Sequence, residues 1–407
     1  MTTRPFQVEA IRKDFPSLTH NGSQQPLVYL DSAATSQKPK AVIDAISQYY
    51  SGATANVHRG SHSLTTAATN RFEAARKTVA NFLGAPTNGI VWTRGATEAL
   101  NLIAQSYARQ HLKPGDEILV SEMEHHANIV PWQIVSQQTG ATIVKWPIDP
   151  STCTLDLDTF DSLLNEKTKL VVLGHISNVT GTRNPIEPVI EKAHNMGAVV
   201  VIDGAQAVVH EGINVTDIDA DFYVFSGHKL FAPAGIGALY GKPTLLDAMP
   251  PWHGGGKMVE KVSFDGTQFA QSPAKFEAGT PNVAGAIGLA EAINWYSTVN
   301  RAEAENHVGQ LQSRLVNGIK DIEDMKIIGL QPGASVVAFN VNGVHHSDIA
   351  TLLDQQGIAV RSGHHCAHPL MDALGINGCV RVSIALYNTE EDIDRCIAAI
   401  QKACDLL

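Results

Sequence analysis

Long apolar runs are the first thing this chain lacks. None approaches the roughly eighteen residues that a membrane-crossing helix needs, so no membrane partner is expected. From Met1 to Pro16 the charged residues Arg4, Glu9, Arg12, Lys13 and Asp14 interrupt the apolar ones. That stretch does not read as a secretory signal, and the expected compartment is the cytoplasm. Cysteine is scarce and odd in number: Cys153, Cys366, Cys379, Cys396 and Cys404. Their irregular spacing argues against a disulfide framework and leaves reduced thiols, any of which is free to do chemistry. Positive charge is also short, with 30 Lys and Arg against 40 Asp and Glu and a net charge of −10, which argues against a general attraction to nucleic acid. Internal repeats and low-complexity tracts are absent.

What is present describes an ordinary globular protein of 407 residues, 44% hydrophobic and 17% charged, long enough for two domains. β-Branched runs at 27–31, 89–93, 117–121, 141–146, 169–175, 198–203 and 222–226 predict seven strands. Helical spacing of apolar residues at 71–82, 98–108, 129–138 and 185–196 falls between them. Such alternation implies an α/β fold with a mostly parallel seven-stranded sheet, whose crevice lies at the carboxyl ends of its strands. After about Asn282 the pattern changes to a small-residue helix, a long polar helix at 301–323, short strands at 335–340, 359–361 and 380–386, a helix at 347–355 and a last helix capped by Thr389 and Asp392. The expected division is a large domain over 17–290, with 1–16 plus 291–407 forming a smaller α+β domain. The glycines and prolines of 250–256 mark a loop.

The chemistry begins with two strand-like runs, one ending in Asp203 and the next in Ser226-Gly227-His228-Lys229. A lysine amine and a carboxylate at adjacent strand ends are what pyridoxal 5'-phosphate requires, an amine for its aldehyde and an acid for its ring nitrogen. Arg94-Gly95-Ala96-Thr97-Glu98 opens a helix after a strand, a place suited to a phosphate. His125 follows another strand, where it can stack on a ring and exchange protons. Cys366 lies in Arg361-Ser362-Gly363-His364-His365-Cys366-Ala367-His368, a mobile and potentially electropositive setting for a nucleophilic thiolate. The other four cysteines have no such neighbours. A metal site built from His364, His365, Cys366 and His368 is the rival reading, weakened because adjacent histidines do not readily face one ion. Arg381, in an apolar strand, needs an anion: a substrate carboxylate, or a structural ion pair.

Asp31-Ser32-Ala33-Ala34-Thr35, Asn56-Val57-His58-Arg59-Gly60, Arg94 to Glu98, Glu124-His125-His126-Ala127-Asn128, Asp203-Gly204-Ala205-Gln206, Ser226 to Lys229, Phe276 to Pro281 and Arg361 to Cys366 occur in order. Together they resemble a group II cysteine desulfurase of the SufS and CsdA type, in the class V aminotransferase family. The resemblance implies a homodimer of the aspartate aminotransferase-like fold type I. Lys229 would bind the coenzyme's aldehyde, Asp203 its ring nitrogen, Gln206 its phenolic oxygen, and His125 would stack on its ring. Ala96, Thr97, Ser226 and His228 would hold its phosphate, with Thr280 reaching it from a second subunit. Arg381, Asn178, His58 and Arg361 would hold the L-cysteine substrate. Lys229 would act as general base, and Cys366 would take the sulfur as a persulfide for a SufE- or CsdE-like acceptor. Selenocysteine would be a further substrate, and no metal is implied. An aminotransferase or simple lyase would share Lys229 and Asp203 without using Cys366.

Overall fold

The computed structural model describes residues 6–19, 27–52 and 54–407. Its main sheet has seven strands, in the order Ile90–Thr93, Gly237–Gly241, Phe222–Ser226, Val199–Asp203, Thr168–Gly174, Glu117–Ser121 and Thr142–Trp146. Gly237–Gly241 runs antiparallel to both neighbours, and every other adjacent pair is parallel. The inner strands are largely apolar because helices cover both faces, whereas the edge strand Thr142–Trp146 keeps Thr142 and Lys145 exposed. Val200 and Ile202 pack into one core and Val201 into the other, as alternating side chains must. Each such side chain, fully buried, contributes about 1.5–3 kcal/mol.

Six of the seven expected strands are in this sheet, and one is not. The run at 27–31 forms only Val28–Tyr29, which pairs in parallel with Ile358–Ala359 outside it. Val28 and Leu30 face the core of the smaller sheet, which draws this segment away. The seventh place belongs to Gly237–Gly241. A Cβ at Gly237 would fall 2.5 Å from the Phe225 carbonyl oxygen and 2.7 Å from Gly95 Cα, so the strand needs the glycine that disguises it as a loop.

The smaller sheet is antiparallel, in the order Met325–Ile328, Val336–Val341, Cys379–Ser383, Arg361–Gly363. Helices Arg301–Ile319, His346–Asp354 and Glu390–Leu406 share its core, the last opened by the expected capping box of Thr389 and Asp392. The short helix Val8–Arg12 joins that helix through Arg12 Nη1, which lies 2.9 Å from Asp392 Oδ2. Phe15 then packs against Trp295 of helix Val283–Ser297 and against Tyr387. One bridge, Asp31 to Ser383, carries the start of the described chain onto the smaller sheet beside Arg381.

Candidate active site

The carboxyl ends of the main strands open onto a cavity of about 310 Å³, closed on its far side by the segment after Arg361–Gly363. Asp203, the last residue of its strand, is 9% exposed and accepts a hydrogen bond from Ala205 N–H at 2.9 Å. Burial raises its pKa, opposed by that bond and by Lys229. Lys229 lies in the single turn after Phe222–Ser226, where burial pulls its amine down to about 8 although Asp203 pulls the other way.

His125 Nδ1 accepts from Ala127 N–H at 3.0 Å, which leaves the neutral ring's proton on Nε2. Burial, then the charge of Lys229, holds this ring down to about 4. Ser226 Oγ accepts from Ala96 N–H at 2.8 Å and ties the start of helix Ala96–Leu102, with Thr97, to the strand end that leads to Lys229. His228 is held down to about 4 by burial and then by Lys229. Gln206 Nε2 donates to the Ala33 carbonyl at 2.9 Å.

The opposite wall carries the thiol. Cys366 is exposed, and it follows His365 in two consecutive left-handed residues, φ 56° and 52°. That conformation costs about 1–2 kcal/mol per residue away from glycine, so the surroundings must hold it. Asn178 Nδ2 donates to the His365 carbonyl at 2.8 Å, and His126 N–H to the Cys366 carbonyl at 2.7 Å. His365 itself is buried, donates Nε2 to the Cys379 carbonyl at 3.0 Å, and is held down to about 3. The other thiols differ: burial pushes Cys153 up to about 11 and Cys379 and Cys396 up to about 12.

Arg381 has the internal anion that one expectation assigned it. Its Nη2 lies 3.2 Å from Asp31 Oδ1 and its Nη1 donates to the Asn178 carbonyl at 2.9 Å, while Nε is buried without a partner among the described residues. Arg361 grips the same Asp31, with Nη2 2.8 Å from Oδ2. Asp31 was visible only as part of a motif; the signal missed was that two arginines near the crevice need an acid.

Ala96, Thr97, His125, Asn178, Asp203, Gln206, Ser226, His228, Lys229, Arg361, Cys366 and Arg381 all line the one cavity. His58 and Thr280 do not. His58 meets Glu73 at 2.9 Å beside a different hollow, and Thr280 is exposed near Asn56. His364 and His368 stack with His126 instead of converging on a point. Among the described residues no three histidine, cysteine or acidic side chains are placed to hold a metal ion. Glu124, on the cavity wall, had been given no role.

Residues 28–396 match the profile of the aminotransferase class-V family. The chain belongs to that family. It is 65% identical over 403 residues to a protein of Vibrio cholerae serotype O1 named probable cysteine desulfurase, covering 99% of this chain and all of that one. A protein of Serratia proteamaculans named cysteine desulfurase is 46% identical, with 99% of each covered. Among solved structures, the cysteine desulfurase CsdA of Escherichia coli in an S-sulfonic acid form superimposes with a TM-score of 0.93 at 46% identity, covering 99% of this chain and all of the other. An apo cysteine desulfurase of Thermococcus onnurineus does so with a TM-score of 0.94 at 37% identity, over the whole of both chains.

Proposed function

We propose that this class V family member is a pyridoxal 5'-phosphate-dependent cysteine desulfurase, which converts L-cysteine to L-alanine and takes the sulfur onto Cys366 as a persulfide. The observation that carries this reading is one cavity in which an amine, Lys229, and a buried carboxylate, Asp203, face an exposed thiol, Cys366. The donor set fits the coenzyme: Asp203 holds a carboxyl group in a dry wall with one backbone donor, Lys229 has a lowered pKa, and Ser226, Thr97 and His228 gather at a helix start. Gln206 and His125 complete the group of residues that would hold it. When bound, the coenzyme supplies a sink for the electrons left as cysteine loses its Cα proton.

Lys229, with a pKa near neutrality, is the base for that proton. His125, neutral at pH 7, offers a ring face without adding charge. Arg381, Arg361 and Asn178 hold the substrate carboxylate. The Cys366 thiolate attacks the substrate sulfur; an S–S bond forms as the substrate C–S bond breaks, and the carbon fragment gains protons and leaves as alanine.

The working unit is a homodimer, in which Thr280 and His58, outside the cavity of their own chain, are supplied to a neighbour. The persulfide passes to a SufE- or CsdE-like acceptor by thiolate attack, since the carbonyls of His365 and Cys366 are both tied down and the thiol cannot swing far. The site is the cytoplasm, and selenocysteine is a second substrate. The test is product analysis: alanine and sulfide formed from cysteine in equal amounts under reductant. Pyruvate or a transaminated product would point to a lyase or an aminotransferase.

A further inference from the structure

Glu124 reaches the wall of the cavity at 2% exposure, and three donors converge on it. Gly174 N–H, at 2.9 Å, and the Ser121 hydroxyl meet Oε1; Asn128 Nδ2 meets Oε2 at 2.6 Å. The direction of the Asn128 contact is dictated from behind. Trp132 Nε1–H can only donate and reaches Asn128 Oδ1 at 3.0 Å, so the amide NH₂ of Asn128 must face Glu124. Each carboxylate oxygen therefore accepts from a fixed N–H. The place left for a proton on this carboxyl is between Oε1 and Ser121 Oγ, where the hydroxyl can turn to accept it.

A second carboxylate stands beside it. Gly174, which donates to Glu124, is in register with Asp203 on the next strand, and both line the cavity. Burial above all raises Glu124 to about 7, against the pull of its three donors, and the Asp203 charge adds a smaller push in the same direction. The other ionisable groups near it do not offset this charge. His125 on its own segment and His175, just beyond the donating strand, are held near 4 by burial and are neutral, and Lys229 lies across the cavity at about 8.

We propose that Glu124 is a positioning residue: with Ser121 and Asn128 it pins the segment carrying His125 to the sheet, and its charge strengthens the hold of Asp203 on the coenzyme's ring-nitrogen proton. This rests on the coenzyme reading above. Two negative charges side by side favour a proton at either, so an ionised Glu124 raises the proton affinity of the Asp203 site, and a protonated Glu124 does not. The influence therefore switches on as pH rises through about 7.

Two measurements decide it. The first uses the wild-type apoprotein with ¹³C at its glutamate carboxyl carbons, and so needs neither coenzyme nor activity. One carboxyl should titrate near 7 and vanish in Glu124→Gln; if all titrate near the usual value of about 4.3, the proposal is overturned. The second uses coenzyme labelled with ¹⁵N at the ring nitrogen. Wild type and Glu124→Gln should agree below pH 7 and separate above it, the variant losing the ring proton about one unit earlier. Glu124→Asp, which keeps the charge while loosening the clip, should return the midpoint toward wild type. A separation equal at every pH, or one that Glu124→Asp leaves unchanged, shows packing alone and overturns the proposal. Should Glu124→Gln not fold, Glu124→Asp removes the same labelled glutamate carboxyl and assigns the signal. Should the protein bind no coenzyme, the functional reading fails while the carboxyl titration still decides the Ser121 and Glu124 pair.

Discussion

On the sheet side of the cavity every chemical group stands at or just beyond a strand end and is walled in, and Asp203, Lys229, His125 and Glu124 all have shifted pKa values. On the other side Cys366 is exposed in a left-handed turn, held through backbone carbonyls. Proton chemistry gains from the dry side because burial moves an amine toward neutrality and keeps a histidine uncharged. Sulfur delivery needs the wet side because an acceptor has to reach the thiol. The buried thiols of Cys379 and Cys396 show what the first wall would do to a nucleophile, since burial pushes both up to about 12.

The deepest break in this contrast comes from the dry wall. If Lys229 is the base and the coenzyme's anchoring amine, as proposed, Lys229→Ala should lower alanine formation from cysteine by about 10³-fold or more. The protein should remain folded and still take up the coenzyme noncovalently. Alanine at the wild-type rate would take Lys229 out of the mechanism. On the wet wall, Cys366→Ala should leave the yellow colour of the bound coenzyme unchanged and reduce cysteine turnover by about 10²-fold or more. Selenocysteine breakdown should fall far less, because its weaker carbon bond depends less on the nucleophile. Equal loss with both substrates would mean that Cys366 serves general catalysis or folding.

The two walls also differed in how legible they were. Asp203 and Lys229 could be read because strand periodicity places the end of each run, and chemistry at a strand end follows from the parallel topology. The thiol could be singled out by its glycine and histidine neighbours, but its left-handed backbone and the tie of the preceding His365 carbonyl to Asn178, 187 positions away in sequence, could not. Asp31 was hidden for the same reason: its partners Arg361 and Arg381 are 330 and 350 residues distant. Local pattern also misassigned Val28–Tyr29 and passed over Gly237–Gly241, where tertiary pairing outweighs a short run's own signal.

Arg381 joins the walls, and its replacement sharpens the comparison. If Arg381 holds the substrate carboxylate as proposed, Arg381→Ala removes a charged contact worth about 1.5–3 kcal/mol, and KM for cysteine should rise by roughly ten-fold to over a hundred-fold with the coenzyme colour intact. Asp31 would keep Arg361, so thermal unfolding should be followed in parallel. A lowered melting temperature with unchanged KM would identify a structural ion pair only.

Acid should act on both walls together. His125, His175 and His365 sit near 4, 4 and 3 in the folded protein, below the ordinary value of about 6.5. Between those values the unfolded chain takes up protons that the folded chain refuses. Each of these histidines therefore costs stability as pH falls from about 6.5 toward 4, by about 1.4 kcal/mol per pH unit, while Glu124, raised to about 7 by burial, takes up a proton in the folded protein over the same range and offsets part of that loss. Urea unfolding at pH 7.5, 6 and 5 reads that slope, and His365→Gln should make it shallower by one histidine's share. An unchanged slope in His365→Gln would show that this ring accepts its proton without unfolding.

The smallest effect tests whether the walls are independent. His126 Nε2 accepts from both His368 Nδ1, at 2.9 Å, and His368 N–H, at 3.1 Å, and the His368 ring stacks between those of His126 and His364. His368→Ala removes the ring and one hydrogen bond, worth about 1 kcal/mol, while the bonds to the His365 and Cys366 carbonyls remain. The loop should loosen only slightly. Alkylation of Cys366 by a thiol reagent should quicken by a few-fold, and the colour of the bound coenzyme should not change. A shift in that colour as large as the change in thiol reactivity would show that the exposed wall transmits its motion to the buried one.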